Sequence, residues 1–212
     1  MYNPHRFEET RLDVLHTLIQ QHPLGTLVTQ GTDGLAADHI PFEIGAPTDA
    51  APFGVLRAHV ARANPLWRLS GSAVLAIFQG PSAYISPSLF AEKAISGKVV
   101  PTWNYATVHA SGTLTAIEDR AWLLALVNRL TDHYEAPRGA PWAVADAPRP
   151  YIEAMLNAIV GIEIPITRLQ GKWKINQDDP AADRVQIATG LGAEPGGAKI
   201  AAIMQSRQPA ES

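Results

Sequence analysis

The stretch Val100–Gly112, VPTWNYATVHASG, decides the fold because it reads as a strand whose two faces differ in chemistry. With the two-residue period of a strand, Ala106, Val108 and Ala110 point to one side and form a small apolar face suited to a packed sheet. The other face carries an indole, a phenol, an imidazole and two hydroxyls, from Trp103, Tyr105, Thr107, His109 and Ser111. Such a row is typical of a surface for an aromatic, hydrogen-bonding ligand, of a subunit interface, or of a core face with polar tips.

A second strand is predicted over Phe53–Val60, FGVLRAHV, and it repeats this design. Arg57 and His59 project from the same face, about 6–7 Å apart along the strand. The opposite face is apolar and consists of Leu56, Ala58 and Val60.

The strand continues into ARANPLW, where Asn64 is a favourable N-cap and Pro65 a favourable first residue of a short helix. Free amides at a helix start attract anions, and the cations Arg57, His59 and Arg62 flank this one. The segment therefore predicts a phosphate site. The alternative is a plain turn and cap whose arginines lie in water.

Composition narrows the function classes. A length of 212 residues is enough for one large domain or one domain with an appendage. A composition of 46% hydrophobic and 17% charged residues is that of a globular protein. The formal net charge of −3 gives no electrostatic reason for strong binding to duplex nucleic acid. The absence of cysteine excludes disulfides, thiolate catalysis, thiolate zinc sites and iron–sulfur clusters.

The first residues, MYNPHRFEETR, lack the apolar core of a signal peptide. No stretch approaches the roughly 18 apolar residues of a membrane span. The sequence therefore predicts a cytoplasmic protein that does not enter a membrane.

The hydrophobic pattern predicts six or seven closely spaced strands with helices between some of them, an α+β domain built on an antiparallel barrel. Further strands are expected at Gly25–Gln30, Leu35–Phe42, Ser72–Phe78, residues 83–86 and, as two strands broken near Leu169, Ile159–Lys174. Residues 31–34 read as a hairpin turn, and the glycine-rich Gly190–Gly197 as a flexible turn. Helices are expected at Thr10–His22, Asn64–Leu69, Ile117–Tyr134, Tyr151–Ala158 and, weakly, Ala198–Met204.

Other chemistries find less support. No glycine-rich phosphate loop follows a strand, and a triad of Ser86, His109 and Asp38 lacks a nucleophile elbow. Seven histidines raise the possibility of a metal or haem, but their spacing matches no recognised ligand set, so no metal site is predicted. Gly171–Lys174, where lysines flank an indole, reads either as the edge of an anionic ligand site or as an ordinary strand end.

Several segments taken together resemble the PaiB family of FMN-binding negative transcriptional regulators. The matching segments are PLGTLVTQ at 23–30, HIP at 39–41, HVARANPLW at 59–67, IFQGPSAYISPS at 77–88, VPTWNY at 100–105 and GKWKINQ at 171–177. The family is similar to the flavin-reductase and pyridoxamine-phosphate-oxidase split barrels. The resemblance implies an FMN-binding split β-barrel with peripheral helices over residues 1–176, a C-terminal helical extension or tail over 177–212, and a homodimer with flavin between subunits. One departure is Asn176-Gln177-Asp178, where the family often has SQN after KWKL.

The resemblance also implies a set of flavin-binding residues. Around the phosphate it places the side chains of Arg57, His59, Arg62 and Asn64 and the amides of Val60 and Ala61. Beside the ribityl chain and ring it places Tyr84, Ile85 and Ser86. At the isoalloxazine edge, from the same or the partner subunit, it places Thr102, Trp103, Asn104 and Tyr105.

Three functions remain open. The resemblance implies an FMN-binding negative regulator of transcription, although the charge and the lack of a basic reading helix give no independent sign of DNA binding. A flavin-dependent oxidoreductase would use NAD(P)H and a small substrate, with His59 or His109 as a proton donor. A sensor or scavenger would bind flavin or haem without turnover.

Overall fold

The structure, a computed structural model, describes residues 1–32 and 34–206. Asp33 of the expected turn and residues 207–212 of the expected tail lie outside the described residues. The chain forms two compact units. Among the described residues, unit 1 comprises Met1–Leu18, Gln79–Val108 and residues 170–206, and unit 2 comprises Ile19–Phe78 and His109–Leu169.

A nine-stranded sheet runs in the order β3-β2-β6-β7-β9-β5-β4, and β1 and β8 also pair with β9. The strands are β1 (Glu8–Glu9), β2 (Leu24–Gly31), β3 (Gly34–Pro41), β4 (Glu43–Gly45), β5 (Val55–Ala61), β6 (Ala73–Ile85), β7 (Thr102–Thr113), β8 (Thr115–Ile117) and β9 (Ile159–Lys174). The helices are α1 (Leu12–Gln21), α2 (Glu92–Ile95), α3 (Arg120–Glu135), α4 (Arg149–Asn157), α5 (Ala181–Gly192) and α6 (Ala198–Ser206). This mixed architecture confirms the predicted α+β class.

The alternation expected in β7 is confirmed. Asn104, Ala106, Val108 and Ala110 are all fully buried, whereas Trp103 is exposed and Tyr105 and His109 are half-buried. Thr107 departs from the pattern, because it lies on the polar face and is nevertheless buried. The apolar face therefore belongs to the core, and the opposite face is only partly covered.

In unit 2, β5 lies between β4 and β9. Leu56, Ala58 and Val60 are in register with Ile164, Ile162 and Val160, and all six side chains are buried. The opposite face is covered by α3, whose first turn is capped by Asp119. The Trp122 ring packs on Gly161, where an added Cβ would lie 2.3 Å from the ring, so this position requires glycine. The polar face of β5 is therefore not an open surface.

In unit 1, α5 and α6 form a second core with the end of β6. Ile187, Leu191 and Ile200 are fully buried against Ile85 and the neighbouring Phe90. The C-terminal helices therefore share a hydrophobic core with earlier parts of the chain.

Several expected elements differ in the structure. Ser72–Phe78 and residues 83–86 belong to one strand, β6, which continues through Gly80 because the missing side chain lets the strand approach the Ala106 carbonyl. The expected break near Leu169 is also wrong, since β9 is continuous. Helix α5 extends to Gly192, into the stretch expected to be a flexible turn.

The predicted helix at Ile117 begins three residues later, because Thr115–Ile117 pairs with β9 instead. None of the helices within the described ranges combines the length and the apolar character that crossing a membrane requires.

Candidate functional site

The predicted site residues fall into two groups, one in each unit, and each group is described by itself. The first group belongs to unit 1 and centres on two exposed aromatic side chains, Tyr84 at the end of β6 and Trp103 at the start of β7. Their exposed fractions are 48% and 57%. The rings meet edge to face with centroids 6.1 Å apart. We call this pair the aromatic platform.

Lys174, at the end of β9, fixes the strand that carries the platform. Its Nζ donates to Thr102 Oγ1 and to the carbonyl oxygen of Trp103, the latter at 2.9 Å. Burial lowers the pKa of Lys174, and the nearby Tyr105 and Asp178 oppose that shift. The lysine is therefore a partly desolvated cation beside the platform.

Asn104 lies on the buried face of β7 and is fully inaccessible to solvent. Its Nδ2 donates to Asn176 Oδ1 at 2.5 Å, and Asn176 in turn donates to Asp179 Oδ2. Asn176 has a φ of 57°, a left-handed conformation that asparagine tolerates better than most residues. The side chain of Asn104 thus holds the end of β9 in place and faces away from the platform.

The remaining residues expected in this group differ in which of their atoms a ligand could reach. Tyr105 is half-buried and stacks against the Nζ of Lys172, 5.5 Å from its ring centroid. Ser86 caps the short 3-10 helix Pro87–Leu89 and bonds Ser88. The Ile85 side chain is buried in the core with α5 and α6, so only its backbone is available to a ligand.

The second group belongs to unit 2, and most of its polar atoms already bind protein. Arg57 Nε donates to Glu163 Oε2 at 2.9 Å, from a side chain that is 29% exposed. Its Nη1 packs over Gly45, where an added Cβ would lie 2.5 Å away. The two terminal amino groups of Arg57 have no protein partner in the described part of the chain.

Arg62 is bound more completely. Its guanidinium donates to the carbonyl oxygens of Asn157 and Ile159, at 2.8 and 3.2 Å, and to Glu118 Oε2 at 2.6 Å. These contacts attach the end of β5 to the end of α4. The side chain of Arg62 is 40% exposed, and its guanidinium is used to position the backbone.

Asn64 caps the short helix that follows it, as the sequence predicted. Its Oδ1 accepts from Leu66 N at 2.9 Å, and its Nδ2 donates to Asp38 Oδ1 at 2.8 Å. The helix that follows is a 3-10 helix of five residues, Pro65–Leu69, which is too short to supply the dipole on which the predicted anion site depended. Val60 and Ala61 lie in the ladder with β9, and the Val60 side chain is buried.

Two histidines near these groups differ from ordinary imidazoles. Burial lowers the pKa of His59, and its Nδ1 is buried with no hydrogen-bond partner among the described residues. The pKa of His109 is also lowered, first by burial and further by the charge of Arg168. Both shifts favour the neutral imidazole. Residues 1–32 and 34–206 hold no group of three His, Asp or Glu side chains placed to bind a metal ion.

The first group has the chemistry that a flavin needs. An exposed aromatic pair gives a planar apolar ring a surface to pack on, and hydroxyl groups from Ser86, Thr102 and Tyr105 lie on the same chain segments. Sequence reasoning missed Lys174 and Asn176 as the residues that hold this segment. The GKWKINQ motif was the available signal, although its indole, Trp173, proves to be buried.

The chain matches known proteins over most of its length. The family model described as "Putative FMN-binding domain" matches residues 1–168. An uncharacterized protein of Aspergillus fumigatus is 35% identical, over 89% of this chain and 90% of its own length. The protease synthase and sporulation protein PAI 2 of Bacillus subtilis is 29% identical, over 98% of both chains.

Solved structures show the same fold at low identity. The flavocytochrome Anf3 of Azotobacter vinelandii has a TM-score of 0.60 and 13% identity, covering 82% of this chain and 72% of its own. The FAD and heme binding protein of Mycobacterium smegmatis has a TM-score of 0.59 and 19% identity, covering 86% and 80%. These matches confirm the fold class expected from the resemblance.

Proposed function

The chain belongs to the FMN-binding domain family, and from that membership we propose that it is a PaiB-type flavoprotein whose aromatic platform holds the isoalloxazine ring of FMN. The observation that carries the proposal is the exposed edge-to-face pair of Tyr84 and Trp103. An exposed indole in a strand whose next residue is fully buried leaves a large apolar surface in water, and a planar ligand would cover it.

The roles of the other residues follow from which of their polar atoms are available to a ligand. Ser86, Thr102 and Tyr105 offer hydroxyl groups beside the platform, and Lys174, Asn104 and Ile85 fix its backbone. The second group is again taken by itself, and in it Arg57 is the residue we assign to an anion contact, because its terminal amino groups have no protein partner among the described residues. Arg62, Asn64, Val60 and Ala61 shape the turn.

Bound FMN supplies hydride and single-electron transfer, so the protein has to bind and orient it. The imidazoles of His59 and His109 can each accept a proton and, once protonated, return it.

The first experiment is an absorption spectrum of the purified chain before and after addition of FMN, followed by dialysis. Retention of the two visible bands of oxidised flavin, together with quenching of FMN fluorescence at equimolar protein, supports the proposal. Loss of all flavin on dialysis with no quenching during titration would reject it.

Two activities of the flavoprotein are then distinguished. Negative regulation of transcription is favoured by the PaiB resemblance and by the match to PAI 2 along the whole chain. It predicts sequence-dependent retardation of promoter DNA at about 0.15 M salt. A flavin-dependent oxidoreductase instead predicts that NAD(P)H bleaches the bound flavin faster than it bleaches free FMN. The net charge of −3 favours the second activity.

We also propose that the protein is a cytoplasmic homodimer. Covering the exposed strand β3, which carries the exposed Leu35, would remove an open sheet edge from water. Light scattering of the chain with and without FMN tests the dimer, and a monomeric mass at micromolar concentration in both samples would reject it.

A further inference from the structure

A cleft of about 440 Å³ in unit 1 borders the platform through Thr102 and Lys174, but the rest of its lining has no role in the proposed function. It is bounded by the first residues of the chain, by α2 and the segment after it, and by the turn that follows β9. One part of its wall is apolar and includes Phe7, Phe90 and Val99. The other part carries charges of both signs.

Lys98 lies on the positive side of the cleft and forms no ion pair among the described residues. A second cation on that side is Lys174. Its Nζ donates only to uncharged oxygens, those of Thr102 and Trp103, and no carboxylate of the described residues pairs with it. The Arg6 guanidinium also lines the cleft, but it pairs with Asp178 at 3.0 Å. Lys174 is therefore a cation that an incoming anionic group can neutralise.

The negative side is formed by carboxylates that form no ion pair at salt-bridge distance in the part of the chain described, although the charge of Asp179 does act on Lys174. Asp179 Oδ2 accepts from Asn176, and the buried Asp183 accepts from the backbone amide of Glu92 at 3.1 Å. Glu92 lines the same cleft and forms no ion pair. Hydrogen bonds to neutral groups orient these carboxylates without removing their charge.

From these contacts we propose that the cleft binds a small zwitterion, with a carboxylate facing Lys174, an ammonium facing Glu92 or Asp179, and an apolar body against Phe7, Phe90 and Val99. A ligand of one sign would neutralise one side and be repelled by the other. A zwitterion compensates both, and the apolar wall favours a hydrocarbon side chain. An α-amino acid with an aliphatic side chain has these features.

This site is separate from the proposed flavin function, although Lys174 connects the two. The same ammonium that faces the cleft also holds the carbonyl oxygen of Trp103. Occupation of the cleft therefore changes the surroundings of an exposed indole, and tryptophan fluorescence gives a readout that needs no flavin.

The test compares three probes on the full chain without FMN, by calorimetry and by tryptophan fluorescence. L-Leucine carries both charges, 4-methylpentanoate lacks the amine, and 3-methylbutylamine lacks the carboxylate. We expect leucine to bind at least about tenfold more tightly than either analogue, because each charge-assisted contact contributes on the order of a factor of ten. Equal affinities, or no binding of leucine at millimolar concentration, would overturn the proposal.

Variants locate the site. Lys174→Met and Glu92→Gln should each weaken leucine binding at least about fivefold, whereas Lys93→Met, an exposed change in the same helix as Glu92, should leave it unchanged. Circular dichroism shows whether Lys174→Met folds. If it does not, the variants Glu92→Gln and Asp179→Asn test the site instead. Unchanged leucine affinity in both carboxylate variants contradicts the assignment. A separate FMN titration of each protein keeps failure of this site distinct from failure of flavin binding.

Discussion

The aromatic platform and the turn at residues 57–64 look alike in sequence, as polar groups on one face of an apolar strand, yet the structure uses them differently. Tyr84 and Trp103 leave their rings in water. Arg62 and Asn64 direct their polar atoms to backbone and side-chain partners. The difference comes from what covers each strand, because α3 packs over the β5 face whereas the platform face is uncovered in unit 1. What covers a polar strand face therefore decides how many of its polar atoms stay free for a ligand.

The largest expected effect is on flavin binding by Trp103→Ala. Loss of an aromatic stacking surface removes about 1–3 kcal/mol, which weakens FMN affinity about 5-fold to 150-fold. The free energy of unfolding should change little, because the side chain is mostly exposed. Quenching of FMN fluorescence measures the affinity, and Trp142→Ala, an exposed tryptophan elsewhere, is the control. Equal affinities for the two variants would remove the platform from the site.

Arg62→Ala should act on stability. The variant loses two bonds to backbone carbonyls and a largely exposed ion pair, which together contribute about 1–3 kcal/mol to the free energy of unfolding. Urea denaturation measures the loss, and Arg149→Ala, which removes an exposed pair with Glu153, gives the baseline. A strong loss of FMN affinity with unchanged stability would contradict the positional role and restore the predicted phosphate contact.

A smaller effect is expected for Asn64→Ala. Removing an N-cap costs about 1 kcal/mol, and here the bond to Asp38 is lost as well. Asn64→Ser, which keeps an oxygen able to cap, should recover part of the lost stability. Thermal unfolding of both variants measures this, and a serine variant no more stable than the alanine variant would show that the cap contributes nothing.

The smallest effect is the pH dependence contributed by His59. Burial holds its pKa in the folded state below the ordinary value of 6.5, so on acidification the unfolded chain binds the proton first. Stability from this group is fully present above pH 6.5 and is lost as the pH falls through the folded pKa. Urea unfolding at about pH 7.5 and about pH 5.5 should show a smaller loss for His59→Gln than for the parent chain. A variant of the exposed His5 should match the parent, and an unchanged loss in His59→Gln would exclude this contribution.

The periodic parts of the fold were predictable from sequence, because β7 and β5 alternate in burial as their residues do. The helix α5 was not, since its low-propensity stretch of Thr189, Gly190 and Gly192 forms a helix only through packing against α6 and β6. The hydrogen bond from Lys174 to Trp103 joins residues far apart in the chain, and the GKWKINQ motif marks the lysine without indicating its partner. The packing of Trp122 on Gly161 is of the same kind, and it decides that the β5 face is covered.

The two-residue strand β1 pairs Glu8 and Glu9 with Lys172 and Gly171 of the last strand, and Asn3 and Tyr2 contact the same residues. At a synthesis rate of about 5–20 residues per second, the time between the synthesis of β1 and that of its partner strand β9 is on the order of ten to thirty seconds. During that interval the first residues have no sheet to join. Unit 1 therefore closes after most of the chain has been synthesised, and pairing at such separation predicts slow folding.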